Sequence, residues 1–235
     1  MNVVSMYQIG KTYHLDAVDV PALVDINLEI RPNCFTVISG PSGSGKTTLL
    51  NLIGCIDQAN SGEVIVAGQA VQKMSDDALS DFRAHHIGFI FQNFNLLPVL
   101  TVEENVEYPL LLARVPAAER KRRVAALLEA VGIADKARNI PGQLSGGQRQ
   151  RVAIARALAP SPKLVLADEP TANLDSHTGA AIISLMREMQ RERHVSFVFS
   201  SHDPKVLAEA DDAVMIRDGR IERIERREPQ AGSAA

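Results

Sequence analysis

The sequence predicts an α/β protein with a parallel core sheet and an inserted block of helices. Three observations lead there. Apolar runs of strand length, such as Cys34–Ile38 and Val195–Phe199, alternate with helix-spaced segments early and late in the chain, the pattern of a parallel sheet covered by helices. Between Thr101 and Ile133 the pattern turns to helices alone, which places an insertion at about residues 93–155. A glycine-rich turn after Ile38 joins a strand directly to a helix.

The bulk properties fit that architecture. At 235 residues the chain is long for one domain and short for two, so one domain with a subdomain is expected. Hydrophobic residues at 46% and charged residues at 23% are ordinary for a globular protein. A net charge of −3 offers no electrostatic case for nucleic acid as a partner. Cys34 and Cys55 have no metal-ligand spacing and are expected to be buried thiols in a reducing compartment. MNVVSMYQIGKTYHL lacks a basic region followed by an apolar one, so no signal peptide is expected. Nor do eighteen apolar residues run together, so the chain is expected not to span a membrane and to be cytosolic unless another subunit holds it.

Taken in order, VVSMYQI and ALVDINLEI have strand spacing, Arg31-Pro32-Asn33 is a turn, and CFTVI is a short buried strand. Helical spacing runs over Thr48–Ile56, GEVIVAG is a strand, and SDDALSDFRAHH is a helix opened by a Ser-Asp-Asp cap. IGFIF is a strand again. TVEENVEYPLLLA and AAERKRRVAALLEAVGI are helices, the second with Leu127, Leu128 and Val131 at core spacing and with ERKRR as a solvated face. After the helix that LSGGQ opens come the strand KLVLADEP, a helix from Ser176, the strand VSFVFSSH and a final strand DAVMIRDG. The tail REPQAGSAA has the composition of a disordered segment.

The glycine-rich turn carries the first chemistry. Gly40, Pro41, Ser42, Gly43, Ser44, Gly45, Lys46 and Thr47 fit G-x-x-x-x-G-K-[ST] between a strand and a helix. Glycines let backbone N–H groups wrap phosphates, and the helix start that continues through Thr48 adds its partial positive charge. Lys46 is placed for the β- and γ-phosphates and the Thr47 hydroxyl for Mg²⁺. A second half of such a site is an acidic residue ending a buried strand. Asp168, after Leu164–Ala167, would hold the metal through water, and Glu169 is placed to polarise an attacking water. The pair Gly146-Gly147 in LSGGQ opens a second helix with free N–H groups, another anion site, although one complete phosphate cradle already exists.

A GTPase would need an Asn-Lys-x-Asp base reader, and the chain has none. Together the motifs resemble the ATP-binding subunit of an ABC transporter, over about residues 3–222: the phosphate loop, Gln92 after IGFIF, LSGGQ at 144–148, LVLADE at 164–169, Asn173-Leu174-Asp175, and His202 after VSFVFSS. The resemblance implies a P-loop NTPase core, a mixed sheet with flanking helices and an N-terminal antiparallel β subdomain. It implies a RecA-like core over about 1–92 and 156–225, a helical subdomain over about 93–155, and a disordered tail at 226–235. It implies ATP and Mg²⁺ as ligands, with Gln92 touching metal and lytic water alongside Thr47 and Asp168. His202 then holds the γ-phosphate and orients Glu169. Tyr13 stacks on adenine, with Tyr7 or a core role for Tyr13 as the alternatives. Asp175 signals to the opposite subunit. The surplus anion site is explained by head-to-tail pairing with a second copy, in which Ser145, Gly146, Gly147 and Gln148 face the other chain's phosphate loop.

The resemblance further implies a membrane permease as partner, docked near Phe94–Val99 in NFNLLPVLTVEENVEYPLLLA, with most of Leu96, Leu97, Leu100 and Leu110–Leu112 packed inside the insertion. It places the protein peripherally on the cytoplasmic face of the membrane, with no nucleic acid. The wording of GPSGSGKTTLLNLIGCID, IGFIFQNFNLLPVL and LADEPTANLD is similar to the lipoprotein-release and macrolide-export group, which moves or extracts amphipathic substrates from outside the cytoplasm. QANSGEV and SSHDP depart from that group's usual wording. An ATPase subunit of an amino-acid importer, or a soluble regulatory ATPase, is the alternative.

Overall fold

The structure, a computed structural model, describes residues 1–15 and 18–227. In chain order its elements are β1 (Val4–Leu15), β2 (Val18–Ile30), β3 (Phe35–Ser39), α1 (Lys46–Ile53), β4 (Ser61–Val66), β5 (Gln69–Ala70), α2 (Asp76–His86), β6 (Ile87–Ile90), α3 (Val102–Leu112) and α4 (Ala117–Ala130). Then follow α5 (Gly146–Leu158), β7 (Leu164–Asp168), α6 (Ser176–Arg193), β8 (Ser196–Ser200), α7 (Pro204–Ala208), β9 (Asp212–Arg217) and β10 (Arg220–Arg226). They form two compact units: residues 1–72 with those from 196 on, and residues 73–195.

The first unit contains an antiparallel sheet in the order β2-β1-β4-β5. Along the end of β2, Ile26, Leu28 and Ile30 are buried and alternate with exposed residues, as expected of a sheet with one covered face. The unit's second set of strands is β10-β9-β3-β8, with β3 parallel to both β8 and β9 and β10 antiparallel to β9. All five residues of β3 and all five of β8 are buried, which is why neither shows the polar–apolar alternation of a half-exposed strand. Phe35 and Phe199 lie side by side on those neighbouring strands with ring centroids 4.1 Å apart. Arg31 closes the base of the sheet with a two-pronged pair to Asp212, Nε to Oδ2 at 3.0 Å and a terminal nitrogen to Oδ1 at 2.6 Å.

The second unit pairs β6 with β7 in parallel and carries the helices α2 to α6. Residues 93–155, expected to form a helical subdomain, fall within this unit, which also holds β6, β7, α2 and α6. Leu127, Leu128 and Val131 are buried as their spacing required. On α4, Glu119 pairs with Arg122 and Arg123. Among the described residues no helix is long and apolar enough to cross a membrane. Cys34 and Cys55 are both buried, and among the described residues neither forms a disulfide.

Several expectations need correcting. The helix expected over Thr48–Ile56 ends at Ile53: Gly54 caps it and Cys55 turns away with φ of 55°. DAVMIRDG is not the last strand. Asp218 and Gly219, both at positive φ, turn the chain back into β10, the two-residue hairpin that an Asp-Gly pair favours. A short helix, α7, was not foreseen; Asp203 caps it by accepting from the Lys205 N–H at 2.8 Å. Of the tail expected at 226–235, Arg226 closes β10 and the Arg227 N–H donates to the Asp211 carbonyl at 2.7 Å; the rest lies outside the described residues.

Candidate functional site

In the first unit the phosphate loop leaves the C-terminal end of β3 and runs into α1. Gly45, at φ of 101°, caps α1 without any side-chain hydrogen bond, so the helix start keeps its outward N–H groups. A side chain at Gly45 would be doubly barred, by that left-handed backbone and by the Ala22 carbonyl oxygen 2.6 Å from where a Cβ would stand. The Lys46 ammonium bends back over the loop, donating to the Gly40 and Pro41 carbonyls at 2.8 and 2.9 Å. The Ser44 hydroxyl is buried beneath the loop with no hydrogen-bond partner among the described residues, while Pro41, Ser42, Gly43 and Thr47 are exposed. This is a cradle of backbone donors and one cation, built for an anion.

His202 belongs to the same unit. It follows β8, the parallel neighbour of β3, and Ile38 pairs with Ser200 across the two strands. The Ser201 N–H donates to the Ile38 carbonyl at 3.1 Å, which sets the exposed His202 at the strand ends from which the phosphate loop departs. Ligands of open parallel sheets bind at that edge.

Tyr13 lies on β1 of this unit, partly exposed. Its hydroxyl donates to Asp57 Oδ2 at 2.9 Å, and the Lys11 ammonium stands over its ring, 4.9 Å from the centroid. Burial opposes ionisation of Asp57, but hydrogen bonds from Lys11 and Tyr13 outweigh it and hold the carboxyl below its ordinary range. Tyr7, the alternative, lies on the same strand with its side chain exposed, whereas Tyr13 is tethered to Asp57.

In the second unit, Gln92 follows β6 while Asp168 ends β7 and Glu169 follows it. The pairing of Ile90 with Ala167 brings these departures to one edge. Asn173 ties them further, its amide donating to the Gln92 carbonyl and to Asn93 Oδ1, each at 3.0 Å. Glu169 has φ of 46°, a left-handed conformation unusual for a side chain of its size. Its carbonyl accepts from the Ala172 N–H at 3.2 Å, which fixes the turn.

The signature is more organised than its sequence implied. Ser145 accepts from the Gln148 N–H at 3.3 Å, and Gln148 Oε1 accepts from the Ser145 N–H at 2.9 Å, a complete capping box on α5. The Ser145 oxygen is therefore engaged as an acceptor, and the N–H groups of Gly146 and Gly147 are the ones the box does not use. A Cβ on Gly147 would meet Thr178 Cγ2 at 2.6 Å, so this glycine is also a packing requirement against α6. Asp175 caps α6, accepting from the His177 and Thr178 N–H groups at 3.1 and 3.0 Å. Hydrogen bonds from Thr178 hold its carboxyl below the usual range.

The segment after Gln92 departs from expectation at one end. Phe94 is only 8% exposed. The Arg149 guanidinium lies over its ring, 5.1 Å from the centroid, and Arg156 donates to the Phe94 and Asn95 carbonyls. Asn105, fully buried, clasps the following turn: it accepts from the Leu97 N–H at 2.8 Å and donates to the Leu97, Leu100 and Thr101 carbonyls. What this turn presents outward is Leu97 and Val99, the latter 84% exposed. Leu110 is buried in the insertion as expected, but Leu111 and Leu112 are 46% and 61% exposed. With Tyr108 they form an apolar stripe at i, i+3 and i+4 on α3.

Among the described residues no cluster of three or more His, Cys, Asp or Glu could hold a metal ion by itself. Thr47, Gln92 and Asp168 are hard oxygen donors of the kind Mg²⁺ accepts, and that ion ordinarily takes one or two protein ligands and completes its shell with phosphates and water. The donor chemistry therefore fits Mg²⁺ delivered with a nucleotide.

Residues 23–172 match the family described as ABC transporter. An uncharacterized ABC transporter ATP-binding protein of Thermotoga maritima is 49% identical over 225 residues, covering 96% of each chain. The macrolide export ATP-binding/permease protein MacB of Syntrophobacter fumaroxidans is 44% identical over 224 residues. That match takes in 94% of this chain but 31% of MacB, so the chain spans less than a third of that relative's length. Among solved structures, the ATP-binding cassette MJ0796, in a dimeric post-hydrolysis state bound to ADP and Pi, superposes with a TM-score of 0.88 at 41% identity. The match covers 96% of this chain and 99% of that one.

Proposed function

The chain belongs to the ABC transporter family of ATP-binding proteins, and from that premise we propose that two copies close around two MgATP to drive a membrane subunit. It is an ATPase of the ABC type. The observation that supports the pairing is the second anion site: a helix start with two glycine N–H groups outside its capping box, in a chain that already has a full phosphate cradle on α1.

In this reading the backbone of Gly40–Thr48 and the Lys46 ammonium hold the phosphates, and the ammonium exchanges two loop carbonyls for phosphate oxygens. Thr47, Gln92 and Asp168 hold the metal, Asp168 through water. Mg²⁺, when bound, offsets charge on the β- and γ-phosphates and orients them for in-line attack. Glu169 accepts a proton from the attacking water as its oxygen bonds to the γ-phosphorus and the bond to the β,γ-bridging oxygen breaks. A left-handed backbone at such a residue costs about 1–3 kcal/mol, and strain of that kind gathers where a side chain must be aimed. His202 orients Glu169 and holds the γ-phosphate. Ser145, Gly146, Gly147 and Gln148 of the second copy complete the anion site, and Asp175 carries the state of one site to the other. Loss of the γ-phosphate removes what both copies hold, and the dimer opens.

Light scattering tests the pairing. Glu169→Gln is expected to bind MgATP, hydrolyse it at least about 100-fold more slowly, and accumulate as a dimer, since removal of a general base ordinarily costs that much. A monomer at saturating MgATP would sink the sandwich, and hydrolysis at the wild-type rate would sink the role of Glu169.

For the transported cargo we propose export or extraction of amphipathic substrates, in line with the names of the MacB relatives and a pyoverdine export ATP-binding/permease protein. The cytoplasmic face of the membrane is then where the chain works, held by its permease. Docking falls on Leu97–Val99, with the Tyr108, Leu111 and Leu112 stripe as an extension and Phe94 as its buried anchor. Replacing Leu97 and Val99 together by Asp is expected to abolish co-purification with the membrane subunit and to leave ATP-dependent pairing of the isolated chain intact. Undiminished co-purification would place the surface elsewhere.

A further inference from the structure

We propose that Lys11 and Asp57 form a clamp that fixes the Tyr13 ring as a platform for the nucleotide base, so that base recognition depends on two side chains behind the ring. The inference rests on the proposed stacking of Tyr13 on adenine and deepens it.

The clamp answers a weakness in the sheet. β1 pairs with β4 as far as Gly10, opposite Ser61; beyond that point, among the described residues, residues 11–15 of β1 have β2 on one side and no ladder on the other. A ribbon of two strands with an open edge is poorly held by itself. The segment from Asp57 to Asn60 closes that edge with side chains in place of a strand. The Asn60 N–H donates to the Gly10 carbonyl at 2.9 Å, and the Thr12 N–H donates to Asn60 Oδ1 at 2.7 Å. Lys11 Nζ donates to Asp57 Oδ1 at 2.6 Å and to the Gln58 carbonyl at 2.8 Å. Tyr13 then donates to the second Asp57 oxygen. Asn60 belongs to QANSGEV, one of the two stretches that depart from the group's usual wording.

Asp57 thus divides its carboxylate between the lysine and the tyrosine. The lysine side chain is 10% exposed, and its ammonium covers one face of the ring. A base stacked on Tyr13 has only the opposite face. With the hydroxyl tied and one face occupied, the ring is ordered before a nucleotide arrives, and that ordering need not be supplied by binding. The clamp is also connected to the phosphate loop. α1 begins at Lys46 and spans eight residues, and Asp57 follows its end by four positions. One rigid helix of roughly 12 Å therefore carries the phosphate site at its start and the base platform just past its finish.

Titration calorimetry of the full chain with ATP and with inorganic tripolyphosphate, each with Mg²⁺, separates the two ends. Tripolyphosphate has no base and reports on the phosphate site and on folding. Tyr13→Ala is expected to weaken ATP by roughly 5- to 150-fold, the range for losing a base–aromatic stack, with tripolyphosphate unchanged. Tyr13→Phe keeps the ring and loses only the tether, and Asp57→Ala loses the clamp. Each is expected to weaken ATP by about three- to tenfold, with tripolyphosphate unchanged, and Asp57→Ala should add nothing in the Tyr13→Ala background. If Tyr13→Ala weakens ATP while Tyr13→Phe and Asp57→Ala bind it as wild type does, the stacking stands and the clamp is wrong. If Tyr13→Ala leaves ATP unaffected, the stacking falls and takes the clamp with it. An equal loss for ATP and tripolyphosphate in Tyr13→Phe and Asp57→Ala would make the cluster a structural strut, which also overturns the proposal.

Discussion

Two helices in this protein begin with glycines, and they begin differently. α1 starts at Gly45 in a left-handed conformation with no side-chain cap, and a lysine in its first turn supplies a full charge. α5 starts at Ser145 in an extended conformation, closed by a reciprocal box with Gln148, and has no acidic residue in its first turn and no basic one before Arg149. An open helix start with a cation can hold an anion unaided. A start whose outer donors already have partners has only its middle N–H groups to offer, and these add to a site that something else has assembled. On the proposed pairing, the difference would let one chain carry two anion sites for a single nucleotide: the first would recruit it and the second would recognise it once recruited.

The largest expected effect tests the self-sufficient start. Lys46→Ala should weaken MgATP binding to the isolated chain by roughly 30-fold or more, the scale for truncating one partner of a desolvated charge pair. Calorimetry at concentrations where the chain is monomeric measures it directly. Affinity within about threefold of wild type, the scale of one ordinary hydrogen bond, would mean that the loop's N–H groups alone recruit the nucleotide.

An intermediate effect separates packing from ligand approach at the second start. Gly147→Ala forces a Cβ to 2.6 Å from Thr178 Cγ2, and overpacking of that kind costs about 1–3 kcal/mol. Thermal unfolding should register a drop of roughly 2–4 °C for each kcal/mol in a chain of this size. Thr178→Ser deletes the obstructing methyl and keeps the hydroxyl, so the double variant should regain most of that loss. Monomeric ATP binding should stay at the wild-type level in both. Pairing of the double variant in the Glu169→Gln background then decides the glycine's role: restored pairing assigns Gly147 to packing, and absent pairing assigns it to close approach by the nucleotide.

The same contrast shows how far the sequence could be read. Both glycine-rich starts, the buried strands β3, β7 and β8, and Asp168 after four apolar residues were legible because each is a local pattern set by backbone geometry or unbroken burial. β10 was missed, although Asp218-Gly219 announced a hairpin, because RIERIER shows no apolar alternation and pairs with β9 at the edge of the sheet. Phe94 was expected outside and is inside because Arg149 and Arg156, more than fifty positions away, reach back to hold it. Leu111 and Leu112 looked like core and are exposed because Leu110 and Val106 fill the buried stripe of α3. The Lys11–Tyr13–Asp57 cluster spans 44 positions between Tyr13 and Asp57, and no pattern within either segment signals it. Longer-range pairings decide where side chains point, and a sequence motif records only which side chains are present.

The smallest effect bears on why α5 is closed at all. If the box holds the helix start ready for a partner's nucleotide, it must stabilise the chain before any nucleotide is present. Ser145→Ala removes the acceptor for the Gln148 N–H and should cost about 1 kcal/mol in urea unfolding without nucleotide, as N-cap truncations do. Ser145→Asp restores the acceptor and adds a charge that suits a helix N-terminus, so its stability should return to within a few tenths of a kcal/mol of wild type. That same carboxylate would face the incoming phosphates, so Ser145→Asp should fail to pair with ATP despite its stable fold, because like charges brought together at an interface cost several kcal/mol. An Ala variant as stable as wild type would show that the box contributes nothing and that α5 starts as openly as α1. A pairing-competent Asp variant would show that Ser145 does not meet the phosphates. The two outcomes are independent, so the start of α5 can be assigned as a cap, as an anion contact, or as both.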